Sequence, residues 1–380
     1  MSKKLNTAIM FGGVSAEHEV SIITGLQVVE KIDRTSFDTF VVFWGQDGVF
    51  YYYPNLTNRK QWKTIKPKVC FFGRDQAGVF IQEAGLLRAK HYLDVAYLAF
   101  HGGKGESGQI QGMLESLGLP FTSSSSESSS ITMNKSLTNQ VLAAHKLATI
   151  PGVSCRDTDF NDNPDGIVAA IRDQLGLPVI IKPAHLGSSI GIKIAKTEIE
   201  LLKYLTEATL IDNEVQIEKL MVDFVEYNCA VRNVGGQIEF SEIERPMGKD
   251  EILSFADKYQ RGGGKKTGAT SGMASLSREL PAKISAELKD RIHDSARKIF
   301  QACRCSGMVR IDFMHTKHDE LFITEVNPIP GSMAYYLWEA AGLTFQQQIT
   351  DLLTQAIADQ KKRDSKQLIY TTDIVDKFIA

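Results

Sequence analysis

Between residues 309 and 331 the chain reads VRIDFMHTKHDELFITEVNPIPG, and apolar and polar positions alternate with a period of two. Val309, Ile311 and Phe313 fall on one face of a strand and Arg310 and Asp312 on the other. A second run puts Ile323, Glu325 and Asn327 on one face, and the polar link HTKHDE between the runs suits a hairpin. Paired in this way, Asp312, Glu325 and Asn327 converge beside Arg310. Two carboxylates and an amide oxygen form a hard, all-oxygen set of the kind Mg²⁺ shares with phosphates. A solvated hairpin face with ordinary charges accounts for this stretch equally well when it is taken alone.

The rest of the chain alternates between the two periods. Residues 6–11 (NTAIMF) are expected to form a strand, Gly12 and Gly13 a tight turn, and Ser15 the cap of an amphipathic helix to about Lys31. Residues 37–43 and 94–100 read as further strands. The second of these runs into HGGKGESGQIQG and a helix with Ile110, Met113, Leu114 and Leu117 at core spacing. A βαβ pattern is thus expected to repeat over residues 1–120, with ligands at the strand ends. Neither glycine turn is a dinucleotide fingerprint or a Walker loop. Glu17 and Glu19 suit the positive end of a helix, and His101 at a strand end is either functional or a satisfied structural group.

Residues 122–130 (TSSSSESSS) read as a turn between domains, followed by a helix over 135–147. Strand 179–182 leads into PAHLGSSIGIKI, whose Gly187, Ser188, Ser189 and Gly191 can lay N–H and hydroxyl groups over phosphates or simply turn a hairpin. Lys182 ends an otherwise apolar strand and needs an anionic partner. Strand 215–220 carries Glu218 and Lys219, and Glu226 precedes a long antiparallel run. Residues 257–277 have little regular pattern and read as a functional lid or a disordered loop. A helix over 281–302, further helices through 333–358 and a charged tail from Lys361 complete the chain.

At 380 residues and 43% hydrophobic content the chain can bury the cores of two or three domains. The net charge of -2, with basic residues scattered, gives no footprint for nucleic acid. No apolar run reaches membrane length, and MSKKLNTAIMFGG lacks a signal peptide's apolar core, so a cytoplasmic protein with no membrane partner is expected. Cys70, Cys155, Cys229, Cys303 and Cys305 fit neither a disulfide framework nor a zinc pattern and read as free thiols.

Taken together the motifs resemble the ATP-grasp fold and, more narrowly, the D-alanine:D-alanine ligase family. GGVSAEHEVS (12–21), HGGKGESGQIQG (101–112), MNK (133–135), KPAHLGSSIGI (182–192), EK (218–219), DKY (257–259), RIDF (310–313) and EVNPIPG (325–331) stand in the family's order. The resemblance implies an α/β ATP-grasp fold of three α/β domains. These are a Rossmann-like substrate domain at 1–123, a central ATP-grasp domain at 124–217, and a C-terminal one at 218–380 with metal site and lid. It implies that ATP phosphorylates the carboxylate of one D-alanine and that the amine of a second attacks the acyl phosphate, for peptidoglycan precursor synthesis. On the same ground Lys135, Lys182, Ser189 and Lys258 face phosphates, Glu218, Lys219 and Leu220 the adenine, and Glu226 the ribose. Asp312, Glu325 and Asn327 hold two Mg²⁺ (or Mn²⁺) ions. Glu17 takes the first substrate's ammonium and joins Ser188 and Tyr259 in a set that closes the lid. Arg310 and the Gly331 N–H form the oxyanion site, His101 lies near the first substrate, and Ser332 and Tyr336 near the second. A homodimer is the family's common state.

Four positions depart from the family pattern. Glu226 lies one residue later than usual after the EK pair, Pro328 replaces a threonine, and the lid segment RGGGKKTGATSG is longer and richer in glycine. Tyr336 stands where a small hydroxyl residue usually meets the acceptor's carboxylate. Tyr259 favours an amine over a hydroxy-acid acceptor. An ATP-grasp ligase joining D-alanine to D-serine, D-lactate or another acceptor, and a nucleotide-binding regulator without turnover, are the alternative readings.

Overall fold

The computed structural model describes residues 3–85, 88–247, 277–366 and 372–379. The expected lid, with Lys258 and Tyr259, lies outside the described residues. β1 (Leu5–Gly12) is apolar without alternation because both of its faces are covered, and Ala8, Ile9, Met10 and Phe11 are fully buried. It pairs in parallel with β2 (Phe37–Trp44) across the helix α1 (His18–Lys31). The helix starts later than expected. Glu17 occupies the cap position, and the Ser15 hydroxyl accepts from the Glu17 N–H at 3.0 Å instead of capping the helix.

β3 (Phe50–Tyr53), β4 (Lys68–Asp75), β5 (Gly78–Glu83) and β6 (Lys90–Leu93) then form an antiparallel meander. β7 (Val95–Leu98) returns parallel to β1, giving the order β6-β5-β4-β3-β2-β1-β7. The expected repeat of βαβ units holds only in part: α1 crosses from β1 to β2, hairpins follow, and after β7 the chain returns through two helices to a single parallel bridge between Ala96 and Phe121. The Gly45–Gly48 turn shows why, since the Gly48 N–H closes on the Gly45 carbonyl at 3.1 Å. A parallel return needs a dozen or more residues.

α2 (Gly103–Glu106) and α3 (Gln109–Leu117) follow β7, and then α4 (Ser126–Met133) and α5 (Lys135–Ala144). Much of the serine tract read as a turn is thus helix. Ser125 caps α4 by accepting from the Ser128 N–H at 3.3 Å, and Ser128 and Ser129 are fully buried. Ser124 locks the tract to the distant Ser306 backbone, donating to its carbonyl at 3.0 Å and accepting from its N–H at 3.1 Å.

The second sheet is antiparallel and ordered β10-β9-β11-β8, from β8 (Gly152–Arg156), β9 (Val179–Pro183), β10 (Lys193–Ala195) and β11 (Glu214–Lys219). Helices α6 (Asp157–Asp162), α7 (Pro164–Leu175) and α8 (Glu198–Thr209) accompany it, and Val179, Ile181, Leu201 and Leu205 centre a core of its own. The third sheet runs β13-β12-β16-β17, from β12 (Phe224–Val234), β13 (Gln237–Phe240), β16 (Met308–Thr316) and β17 (Leu321–Asn327). The short pair β14 (Arg245–Pro246) and β15 (Arg278–Glu279) lies beside it. α9 (Ala286–Ala302) begins five residues after Pro281, where the Ser285 hydroxyl accepts from the Leu288 N–H at 3.1 Å, so the helix expected from 281 is shorter.

After a 3₁₀ turn at Gly331–Ala334 come α10 (Tyr335–Ala340), α11 (Phe345–Asp364) and α12 (Ile374–Ile379). α11 packs Ile349, Leu352 and Leu353 into the same core as β1 and β7, and that core also takes in Ala230 of β12 and Met308 of β16. All five cysteines are buried and unbridged. No helix of the described residues is long and apolar enough to cross a membrane.

Candidate active site

The hairpin forms as its alternation requires, with Arg310 opposite Asn327 and Asp312 opposite Glu325 on adjacent strands. The register shifts directly after Asp312, so Ile323, expected on the face of Glu325 and Asn327, instead meets Phe313 in the core while the polar pairs share the cleft face. Arg310 forks onto Asp312 through Nε at 2.7 Å and Nη2 at 2.8 Å, and Asn327 Nδ2 donates to the same carboxylate at 3.2 Å. Burial opposes the Arg310 charge, yet the Asp312 carboxylate outweighs it and holds the guanidinium pKa well above its ordinary value. Glu325 lies 3.6 Å from Lys135 Nζ, which also donates to the Leu186 carbonyl at 2.6 Å. No group of three His, Cys, Asp or Glu side chains fit to hold a metal exists among the described residues. A cation here would rest on Asp312, Glu325 and the Asn327 oxygen and complete its shell with phosphate and water. That donor set fits Mg²⁺.

Lys182 has the anionic partner its position demands. Its Nζ donates to Glu218 Oε2 at 2.6 Å across β9 and β11, and both side chains are about nine-tenths buried or more. Lys219 is exposed, and the half-buried Leu220 donates its N–H to the Pro178 carbonyl at 3.2 Å. A cavity of ≈ 150 Å³ collects Lys135, Lys182, Ser189, Glu226, Arg310 and Asp312 on its walls.

A second cavity of ≈ 60 Å³ adjoins it, sharing Lys135, Arg310 and Glu325, and is lined further by Glu17, His101, Ser188, Asn327 and Gly331. Ser188, in left-handed backbone at φ 52°, donates its hydroxyl to Glu17 Oε1, joining the glycine-serine loop to the start of α1. The loop after the hairpin is gripped from both sides. His101 Nδ1 donates to the Ile329 carbonyl at 3.0 Å, and the Ile329 N–H donates to Glu106 Oε1 at 3.2 Å. The carbonyl can only accept, so His101 carries its proton on Nδ1 and accepts at Nε2 from Thr24 at 2.8 Å. Thr24 in turn accepts from the Ser332 N–H at 3.2 Å. Thr24 and Glu106 were missed by sequence reasoning. Glu106 lies inside the HGGKGES block, and Thr24 is a hydroxyl on the apolar face of an amphipathic helix.

Burial, seconded by the Glu17 charge, pushes the Glu106 carboxyl up to about 8, and burial lowers His101 to about 4. The two act on stability with opposite signs. A raised carboxyl favours the folded state below its unfolded pKa and loses that advantage as pH climbs to about 8. A lowered histidine weakens the fold only as pH falls from 6.5 towards about 4. Between pH 6.5 and 8 only the Glu106 effect of these two remains, and urea unfolding is expected to show ~2 kcal/mol lost across that window. Glu106→Gln should flatten the slope. An equal slope in the variant would assign it to another group.

Tyr336 lies behind the cavity walls. Its hydroxyl donates to Glu244 Oε1 at 3.1 Å, and burial with the neighbouring Glu244 charge pushes its pKa up. Ser332 is buried in left-handed backbone at φ 51°.

Several sheets around a cleft whose lysines and arginine face a carboxylate hairpin define the class: this is the mixed α/β fold of ATP-grasp ligases. Family models described as the D-ala D-ala ligase N-terminus and C-terminus match residues 6–124 and 141–354. The chain belongs to the D-alanine–D-alanine ligase family. It is 34% identical to the D-alanine–D-alanine ligase of Thermosipho africanus over 374 residues, 97% of each chain. The solved D-alanine–D-alanine ligase of Coxiella burnetii superposes with a TM-score of 0.80 at 24% identity, over 96% of this chain and 97% of that one. The VanG D-Ala:D-Ser ligase of Enterococcus faecalis does so with 0.78 at 25%, over 93% of this chain and 100% of the other.

Proposed function

We propose that this chain uses ATP to activate the carboxylate of one D-alanine and joins it to the amine of a second, supplying the dipeptide for peptidoglycan precursors. The supporting observation is the convergence of Lys135 and Lys182 with Arg310, Asp312 and Glu325 around one cavity. Phosphoryl transfer depends mainly on positioning and charge neutralisation, and this set provides both. Lys135, Lys182 and Ser189 hold the phosphates, with Lys258 added from the lid. Glu218, Lys219 and Leu220 face the adenine and Glu226 the ribose.

Asp312, Glu325 and Asn327 would hold two Mg²⁺ ions, which when bound neutralise the phosphate oxygens. Glu17 binds the first ammonium beside His101, and Ser188 and Tyr259 complete the set that orients the attacking amine. Attack by the free amine forms the C–N bond and a tetrahedral centre whose oxyanion meets Arg310 and the Gly331 N–H, and the C–O bond to phosphate then breaks as the carbonyl re-forms, the nitrogen's extra proton passing to solvent or the departing phosphate. A cytoplasmic homodimer is the setting we infer from the family.

A second reading follows from Tyr336. Its phenol fills the place of a small hydroxyl and engages Glu244, which favours an altered acceptor such as D-serine. The test is phosphate release from ATP and Mg²⁺ with D-alanine alone and with D-alanine paired with D-serine or D-lactate, products identified by mass. Alanyl dipeptide from D-alanine alone is expected. Turnover only with another acceptor selects the second reading, and nucleotide binding without any amino-acid-dependent turnover overturns both.

A further inference from the structure

Beside Arg310 lies a buried polar cluster of Glu244, Arg278 and Tyr336, of which the reaction described above uses neither Glu244 nor Arg278. Glu244, 2% exposed, accepts through Oε1 from Asn228 Nδ2 at 2.9 Å and Tyr336 Oη at 3.1 Å, and through Oε2 from Arg278 Nη1 at 2.6 Å. The Arg278 guanidinium lies 4.0 Å over the Tyr336 ring, within cation–π range. Its side chain is 11% exposed. Arg278 and Glu244 line the same cavity as Arg310 and Asp312, and Glu244 is close enough that its charge bears on the Arg310 guanidinium.

The amine that attacks at Arg310 belongs to a zwitterion, and its carboxylate lies only two bonds from the nitrogen. A cation within one amino acid's length of Arg310 would offset that carboxylate's charge in a cavity already lined by Glu226, Glu244, Asp312 and Glu325. Among the described residues, the other cations lining this cavity have other roles in the proposed reaction, Arg310 at the oxyanion and Lys135 and Lys182 at the phosphates. Arg278 is held in place by a carboxylate on one side and a ring face on another. A planar guanidinium so fixed is suited to a carboxylate, which it recognises through parallel N–H donors.

We propose that Arg278 binds the carboxylate of the second amino acid, with Glu244 and Tyr336 as positioning residues that fix its guanidinium at the cavity wall. The inference rests on the ligase reading. It replaces the small hydroxyl expected at position 336 with a ring that acts through arginine. The acceptor is thereby restricted to amino acids with a free carboxylate.

The test is a competition in the full-length protein with ATP and Mg²⁺, in which D-alanine as donor meets D-alanine or D-alaninamide as acceptor and the two products are weighed by mass. The unaltered protein is expected to prefer the free acid. Arg278→Ala should cut that preference about 10- to 100-fold and raise KM for the second D-alanine by a similar factor. KM for the first D-alanine and for ATP should stay within about threefold. Arg278→Lys, which keeps the charge and loses the fork, carries the test if the alanine variant folds poorly, and should also lower the preference. Tyr336→Phe, which keeps the ring under the guanidinium, should retain most of it. A preference unchanged in both Arg278 variants while overall rates fall would make Arg278 a structural partner of Glu244 and overturn the proposal. Failure of the unaltered protein to form either product would instead bring down the reading beneath it, that D-alanine is the acceptor.

Discussion

Glu325→Gln is expected to lower kcat by about 100-fold or more at ordinary Mg²⁺, with part of the loss recovered at high Mg²⁺. The variant keeps the side chain's size and exchanges one anionic oxygen for an amide nitrogen. Asp312 would then be the only carboxylate on the hairpin's polar face, and both of its oxygens already accept from Arg310 at 2.7 and 2.8 Å. Glu325 is 29% exposed and its contact with Lys135 spans 3.6 Å, so the fold should lose no more than about 0.5 kcal/mol. Phosphate release across an Mg²⁺ titration measures the effect. Activity within threefold of the unaltered protein at ordinary Mg²⁺ would remove Glu325 from the metal set.

Lys182→Ala should be costly in two separable ways. Glu218 would keep its burial and lose the ammonium 2.6 Å away, and an uncompensated charge at a site 6% exposed costs about 3–5 kcal/mol. Nucleotide affinity should fall as well, because the phosphates lose a cation. The double variant Lys182→Met with Glu218→Leu isolates the first of these losses. Apolar replacements of similar volume should restore most of the stability, since a buried ion pair often contributes little beyond cancelling its own desolvation. They should not restore nucleotide binding. Thermal unfolding with and without ATP reads both effects, and an ATP-induced shift that survives in the double variant would take Lys182 out of the phosphate site.

What the sequence shows most readily is what depends on near neighbours. The hairpin's period of two places Arg310 and Asp312 on one face, and the second run supplies Glu325 and Asn327 opposite them. Lys182 announces that it needs an anion, but choosing Glu218 requires the register of β9 against β11. The meander of the first sheet was also legible in part, for GQDG at 45–48 is a turn signal between two apolar runs. The serine tract misleads because its polarity is satisfied from far away, at the Ser306 backbone, so a polar composition conceals a buried helix. Glu244, Arg278 and Tyr336 are the hardest case. They span as many as 92 positions, and no local pattern marks any of them as members of one cluster.

The distribution of cores has a mechanical consequence. The first sheet's core reaches through Met308, Ala230 and α11 into the third sheet's neighbourhood, and parting those pieces would expose apolar surface at about 25 cal/mol per Å². The second sheet has its own interior and meets the rest along a seam that includes Ser188 with Glu17, Lys135 with the Leu186 carbonyl, and Asn134 with Glu214 at 2.8 Å. Water can replace such contacts at little net cost. The softest boundary of the molecule therefore runs along that seam, and the loop of Ser188 and Ser189 rides on the second sheet's side of it.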